Sequence, residues 1–420
     1  MEALLIRSHF SLFLASALAS LSGVVLFAQD GSSLRRIDPS ELHVLSDQSA
    51  REALAGKSKL GGARTRLAPA GGSLPLWTYQ VRAAQDGQTY TGMIVGTSPT
   101  GKQTTTTVPA ILVPVILKIT QGGVTYIFDP TTADPSCLGS GHSALGLTQS
   151  SPLFQNANFT FNGVNVGNTQ YSDAMLRGEF WKYIKSSSSA YHLHLSLTTK
   201  SALTISVNAG GSGNSTAAVY NLGGGYCGSN THTNQAGLLG IVDIDTIDNA
   251  LGNYISANGL NAGQFPFFVI YNSVMSEGSA DNLNNCCILG YHNALGNPGQ
   301  TYGIADFEGR DQTVFSGVSD VAAASHEVNE WVNDPSGGNP TPSWGNIGQV
   351  SGCQNNFEVG DPLSGTLFPS VYLNGFTYHL QELAYFSWFY GGASLGAGGK
   401  YSDNGTFTGD ANLCPPGGTN

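Results

Sequence analysis

The run Ser325-His326-Glu327-Val328-Asn329-Glu330-Trp331-Val332-Asn333-Asp334-Pro335 constrains this chain more than any other stretch. Alanines at 322 to 324 favour a helix, Ser319 is placed to cap it, and Asp334-Pro335 ends it, so a helix is expected over Asp320 to Asn333. Residues four apart share a helix face, so His326 and Glu330 converge on one point and Glu327 lies beside it. The pattern is His-Glu-x-x-Glu. It differs from the zinc-hydrolase helix His-Glu-x-x-His in having a carboxylate where the second histidine stands. Chance would produce it about 0.005 times in a chain of this composition. The plainer reading is an exposed helix whose acid and histidine satisfy each other.

Two ligands from one helix do not hold a catalytic ion, so the fold must bring a third group to this face. The leading candidate is Glu358, in Phe357-Glu358-Val359-Gly360-Asp361-Pro362, with Asp361 placed to orient a histidine ligand. Asp334, His292 and His379 are rivals ranked below it. Asp334 lies four residues further along the same helix face, and the two histidines could approach in space. The acidic cluster Asp306, Glu308, Asp311 lacks the spacing of a calcium loop and reads as a solvated loop. The match to Gly-x-Ser-x-Gly at Gly392 to Gly396 sits in a glycine-rich loop without the strand-to-helix turn that exposes a nucleophile.

The flanking sequence indicates export. Residues 1–28 carry Arg7, an apolar stretch from Phe10 to Phe27 and a cleavage site after Ala28, the form of a secretory signal peptide. No later run is long and apolar enough to span a membrane, so no membrane association is expected after signal removal. Residues 29–73 are polar and basic and read as a leader, either a propeptide over an active site or a flexible spacer. Cys137, Cys227, Cys286, Cys287, Cys353 and Cys414 fit up to three disulfides, with the adjacent pair expected to bridge to distant partners rather than to each other. The net charge is −11, and Arg310 and Lys400 are the only lysine or arginine residues after position 200. Nucleic acid is therefore not an expected partner.

Residues 74–207 show short β-like runs at Trp77 to Arg82, Val108 to Thr120, Val124 to Phe128, Phe159 to Val166 and Tyr191 to Thr198. A helix capped by Ser172 is expected over Asp173 to Lys185. In residues 208–420 a helix near Thr246 to Ile255 and a buried strand at Phe265 to Tyr271 precede the His-Glu helix. The expected fold class is α+β, with a β-rich N-terminal part and a mixed C-terminal zincin-like domain bearing the metal helix.

Three segments resemble a known group: Ser325 to Pro335, Glu358 to Leu363, and Cys-Cys-Ile-Leu-Gly-Tyr-His at 286 to 292. Together they look like exported bacterial proteins held to be zinc peptidases and bearing His-Glu-x-x-Glu. The likeness spans about Phe265 to Cys414 and extends weakly through Tyr171 to Trp181. It implies metal contacts at His326, Glu330 and Glu358, with Glu327 as general base. A fainter similarity to plant exordium or phosphate-induced secreted proteins, which lack the His-Glu helix, lies in the Cys-Cys-to-His patch and the Asp-Pro turn. The expected function is a secreted zinc-dependent peptidase acting on peptide or protein substrates. Manganese and calcium are the harder alternatives for a carboxylate-rich site. The alternative is a non-catalytic, metal-stabilised extracellular or cell-wall carbohydrate-binding protein, whose sugar-stacking candidates are Trp331, Trp344 and Trp388.

Overall fold

Phe265–Tyr271 contains no charged residue and is buried along its whole length, the signature of a strand covered on both faces. It forms the middle of the molecule. The computed structural model describes residues 34–45, 50, 54, 72–210, 215–223, 226, 237–296, 299–309 and 314–414. The expected signal peptide lies outside the described residues, as do Cys227, Asp311 and much of the leader.

In chain order the strands begin with the hairpin β1 (Leu76–Arg82) and β2 (Thr89–Val95), then the 17-residue β3 (Thr105–Gln121) and β4 (Val124–Phe128). A second hairpin follows, β5 (Ala157–Phe161) and β6 (Val164–Thr169), then β7 (His192–Thr199), β8 (Leu203–Asn208), β9 (Ala217–Asn221) and β10 (Leu238–Asp243). Next come β11 (Phe265–Tyr271), β12 (Ser273–Ser276), β13 (Cys286–Ile288), β14 (Gly290–Gly296) and β15 (Gly299–Phe307). The hairpin β16 (Pro340–Ile347) and β17 (Val350–Asn356) follows the site helix.

β3 is the spine. Its first half pairs in parallel with β7 and with β11, and its second half pairs with β8 and, antiparallel, with β4. β11 continues in parallel to β15, and β14 closes that edge antiparallel. The chain is thus a strand-rich mixture of helix and sheet, as expected. Strands from both sides of position 208 share this sheet, so the anticipated boundary there does not separate two cores. A smaller four-stranded sheet runs β13-β12-β10-β9.

Alternation along the strands feeds two cores. Phe265, Phe267 and Val269 of β11 enter one, together with Val328, Trp331 and Val332 of the site helix. Phe268 and Ile270 enter the other, with Ile247, Leu251 and Ile255 of the helix Ile244–Ala257. The large sheet is therefore sandwiched between helices. Trp331 stacks on Phe265 with ring centroids 3.6 Å apart and donates its indole N–H to Thr301 Oγ1 at 2.9 Å, which fixes the site helix on the sheet.

Several local expectations are corrected. The site helix spans Ala322–Asn333 and begins after Asp320, whose φ is +38°, so Ser319 does not cap it and instead accepts the Ala322 N–H in a turn. The run Phe159 to Val166 is a hairpin rather than one strand, because Asn162 and Gly163 both take positive φ. The helix expected from Asp173 starts at Tyr171 and breaks after Glu179, with a short turn Trp181–Ile184 beyond it. Cys286 and Cys287 are bonded to each other rather than to distant partners, and Cys353 pairs with Cys414.

Candidate metal centre

Every residue of the site helix is buried, because the sheet lies on one side and the segment Phe357 to Leu363 on the other. Its apolar residues face the sheet, and His326, Glu327 and Glu330 face the seam between β14 and that segment. On β14, Tyr291 points into the core of the other helix, where it donates to Asp248 Oδ1 at 3.1 Å. Strand alternation then turns Gly290 and His292 toward the site helix.

His326 Nε2 lies 3.1 Å from Glu330 Oε2. His292 Nδ1 lies 3.8 Å from the same oxygen and 3.7 Å from Glu327 Oε2, and its Nε2 lies 3.9 Å from Glu358 Oε2. Two overlapping donor sets result, His292–Glu330–Glu358 and His326–Glu327–Glu330, in each of which the ligand atoms fall within 4.8 Å of one another. Glu330 belongs to both.

The surrounding hydrogen bonds fix the ring nitrogens. His292 Nε2 sits 2.9 Å from the carbonyl oxygen of Asp334; a carbonyl can only accept, so Nε2 carries a proton, and in the neutral ring Nδ1 turns its lone pair toward Glu330. Gln381 donates its amide N–H to the Gly360 carbonyl at 2.7 Å, which turns its Oε1 to His326 Nδ1 at 3.1 Å. His326 Nδ1 therefore carries a proton, and in the neutral ring Nε2 presents its lone pair to Glu330 Oε2. Glu330 is held by its other oxygen, which accepts the backbone N–H groups of Gly360 at 2.9 Å and Asp361 at 3.1 Å. Glu358 Oε1 accepts from Asn356 Nδ2 at 2.8 Å. Two imidazole lone pairs and anionic oxygens thus converge in a buried space. With both rings neutral, this donor set is of the kind that could hold a cation.

Two glycines allow the approach. A Cβ on Gly360 would lie 2.5 Å from His326 Nδ1, and one on Gly290 would lie 2.7 Å from Glu327 Cγ. His292, Glu330, Glu358 and Asp361 are fully enclosed, while His326 and Glu327 keep 4% and 3% exposure. Access is therefore from the Glu327 side. There His326, Glu327 and Gln381 meet a cavity of about 390 Å³ walled by Leu289, Val314 and Phe315.

The expected residues divide clearly. His326, Glu327, Glu330 and Glu358 come together, and His292, ranked below Glu358, joins them as the second histidine that the helix lacks. Asp361 is near, with Oδ1 3.6 Å from His326 Nε2. Its oxygens accept from Gln349 and Gln354, and the orienting contact on His326 Nδ1 comes from Gln381. Asp334 contributes its carbonyl, while its carboxylate accepts the Gly338 and Asn339 N–H groups at 2.9 and 2.7 Å and closes the helix. His379 is held elsewhere, its Nδ1 2.6 Å from Asp320 Oδ2. That hydrogen bond pushes the His379 pKa up, and burial pushes Asp320 up against the pull of the histidine. Gln381 and Gly360 carry no chemical signal of their own in the sequence; His292 is legible there as a rival ligand and as the end of the Cys-Cys-to-His segment.

The acidic cluster is not a solvated loop where it is described: Asp306, on β15, and Glu308, just beyond it, are both buried, Asp306 Oδ1 accepting the Ser273 N–H and Glu308 pairing through its backbone with Asp320. Ser394 caps its own loop, accepting from Gly396 N–H and donating to the Lys400 carbonyl. Trp331, Trp344 and Trp388 are all buried and offer no stacking platform for a sugar. Comparisons with protein-family models, curated proteins and solved structures find no match.

Proposed function

We propose that this protein is a metal-dependent hydrolase of the zincin kind, acting on peptide bonds, with one divalent ion held by His292 Nδ1, His326 Nε2, Glu330 and Glu358. The observation that carries this reading is the pair of histidine tautomers, each fixed by a hydrogen bond on its far nitrogen so that both lone pairs face Glu330 Oε2. Two imidazoles favour zinc over calcium, which takes oxygen ligands, and the carboxylates keep manganese as the second choice.

When bound, such an ion would polarise the scissile carbonyl and make its water more acidic. Glu327 accepts the water proton and returns it to the leaving amine, because it is the one site carboxylate that borders the cavity. Gln381 and the Asp334 carbonyl hold the two imidazoles in the ligating tautomer. The Gly360 and Asp361 amides hold Glu330. The cavity has room for a substrate side chain, and His292, Glu330 and Glu358 lie enclosed behind it.

The near-complete burial of the ligands favours a second reading, a structural ion without turnover. Glu327→Gln separates the two. The enzyme reading expects hydrolysis of a fluorogenic peptide mixture to fall by roughly 10²–10⁴-fold with metal content unchanged; a structural site gives no Glu327-dependent hydrolysis to lose. We also place the protein in an oxidising, extracellular compartment, on the strength of its disulfides. Among the described residues no helix is long and apolar enough to cross a membrane.

A further inference from the structure

The leader is seated against the site. Ile37 donates its N–H to the Asn221 carbonyl at 3.0 Å, and Asn221 donates to Arg35 at 3.0 Å, which joins the leader to β9 at one edge of the four-stranded sheet. A turn follows at Pro39–Glu41, capped by Asp38 and braced by an Arg35–Glu41 ion pair of 2.7 Å. The chain then reaches the opposite edge strand, β13. There Leu45 donates to the Cys287 carbonyl at 2.7 Å and Cys287 donates to the His43 carbonyl. One residue exchanging its N–H and C=O with the two neighbours of Val44 is the pairing pattern of parallel strands. Ile37 and Leu42 are buried in the core beneath. Leu42, His43, Val44 and Leu45 form one wall of the cavity whose other side is His326 and Glu327.

Without residues 43 to 45, Cys287 would present its N–H and C=O at a sheet edge beside an apolar cavity and the proposed general base. That combination is how proteins take up an extended peptide: backbone pairing gives affinity and a pocket selects a side chain. We infer that the β13 edge at Cys287, with the cavity lined by Leu289, Val314 and Phe315, is a binding site for an extended polypeptide segment, and that the leader occupies it from within the same chain. The leader is thus an internal competitor rather than a spacer, and displacing it opens the site. This rests on the hydrolase reading for the fate of the bound peptide, though not for its binding.

The test uses the full chain carrying Glu327→Gln, so that nothing is cut. The probe is a fluorophore-labelled synthetic peptide of residues 40–47, Ser-Glu-Leu-His-Val-Leu-Ser-Asp, read by anisotropy against a scrambled control. Leu45→Pro removes the N–H donated to Cys287, and Leu42→Asp disturbs the leader's apolar anchor without touching the pairing. Because a tethered competitor acts at high effective concentration, each is expected to tighten peptide binding by about tenfold or more. Peptide affinity unchanged in whichever of the two variants retains the parent's near-ultraviolet circular dichroism would overturn the inference and make the leader a fixed wall. The hydrolase reading is scored separately, with Glu327 restored. Peptide bound more tightly by the variants and left intact sinks the hydrolase and leaves the binding site standing.

Discussion

Gln381 places its amide oxygen 3.1 Å from His326 Nδ1 and thereby decides which nitrogen of that ring faces Glu330. The glutamine cannot turn over, because its N–H is engaged by the Gly360 carbonyl. Removing it frees the ring to rotate and to change tautomer. Gln381→Leu is expected to weaken zinc affinity about 10–100-fold without abolishing binding, as measured by competition with a chelating dye. Unchanged affinity would show that the ring is held by packing alone.

His292 and His379 make a matched pair of histidines. X-ray absorption on the zinc-loaded protein is expected to count two imidazoles in the wild type and in His379→Ala, and one in His292→Ala. His379 belongs to Asp320 instead, at 2.6 Å. A spectrum that loses an imidazole with His379 rather than His292 would refute the assignment.

Gly360 and Gly290 are expected to fail in different ways. A methyl group at Gly360 collides with the His326 ring, so Gly360→Ala should lower metal affinity; at Gly290 it collides with Glu327, so Gly290→Ala should lower turnover and spare the metal. Each carries an overpacking cost of about 1–3 kcal/mol, visible in thermal melts. Equal metal loss in both variants would contradict the separate roles of ligand and base.

Glu179 lies away from the metal centre, buried and accepting the Phe386 N–H at 3.1 Å. Burial raises its pKa well above the ordinary carboxyl value, and burial does the same to Asp403. The folded state then keeps a proton that the unfolded chain releases. Stability from these groups is full below the unfolded carboxyl pKa and declines as pH rises toward the folded value. Glu179→Gln holds the neutral form permanently, so its melting temperature should fall less than that of the wild type as pH rises above the ordinary carboxyl range. Parallel slopes would show that Glu179 is ionised in the folded protein.

The helix and its three polar residues were legible because a spacing of four puts His326 and Glu330 on one face whatever surrounds them. Phe265 to Tyr271 was legible because an unbroken apolar run needs cover on both faces. His292 was legible only as a rival ranked below Glu358, since its place depends on β14 lying against the helix, a long-range pairing with no local trace. The vicinal pairing of Cys286 with Cys287 was likewise hidden, because cysteine spacing alone does not fix connectivity. Gln381 acts through a contact across 55 residues, and nothing in its neighbours marks it. The Ser319 cap failed for a different reason: Asp320 takes a left-handed backbone to reach His379, and this tertiary contact overrides the local capping preference.

The most direct test of the account is metal content by plasma mass spectrometry, on the wild type and Glu330→Ala after dialysis against a weak chelator. Glu330 is the residue common to both donor sets, so the account predicts one equivalent of divalent metal, zinc foremost, in the wild type and its loss in the variant. A wild-type protein that retains no metal even after zinc reconstitution would contradict the metal centre and the hydrolysis built on it.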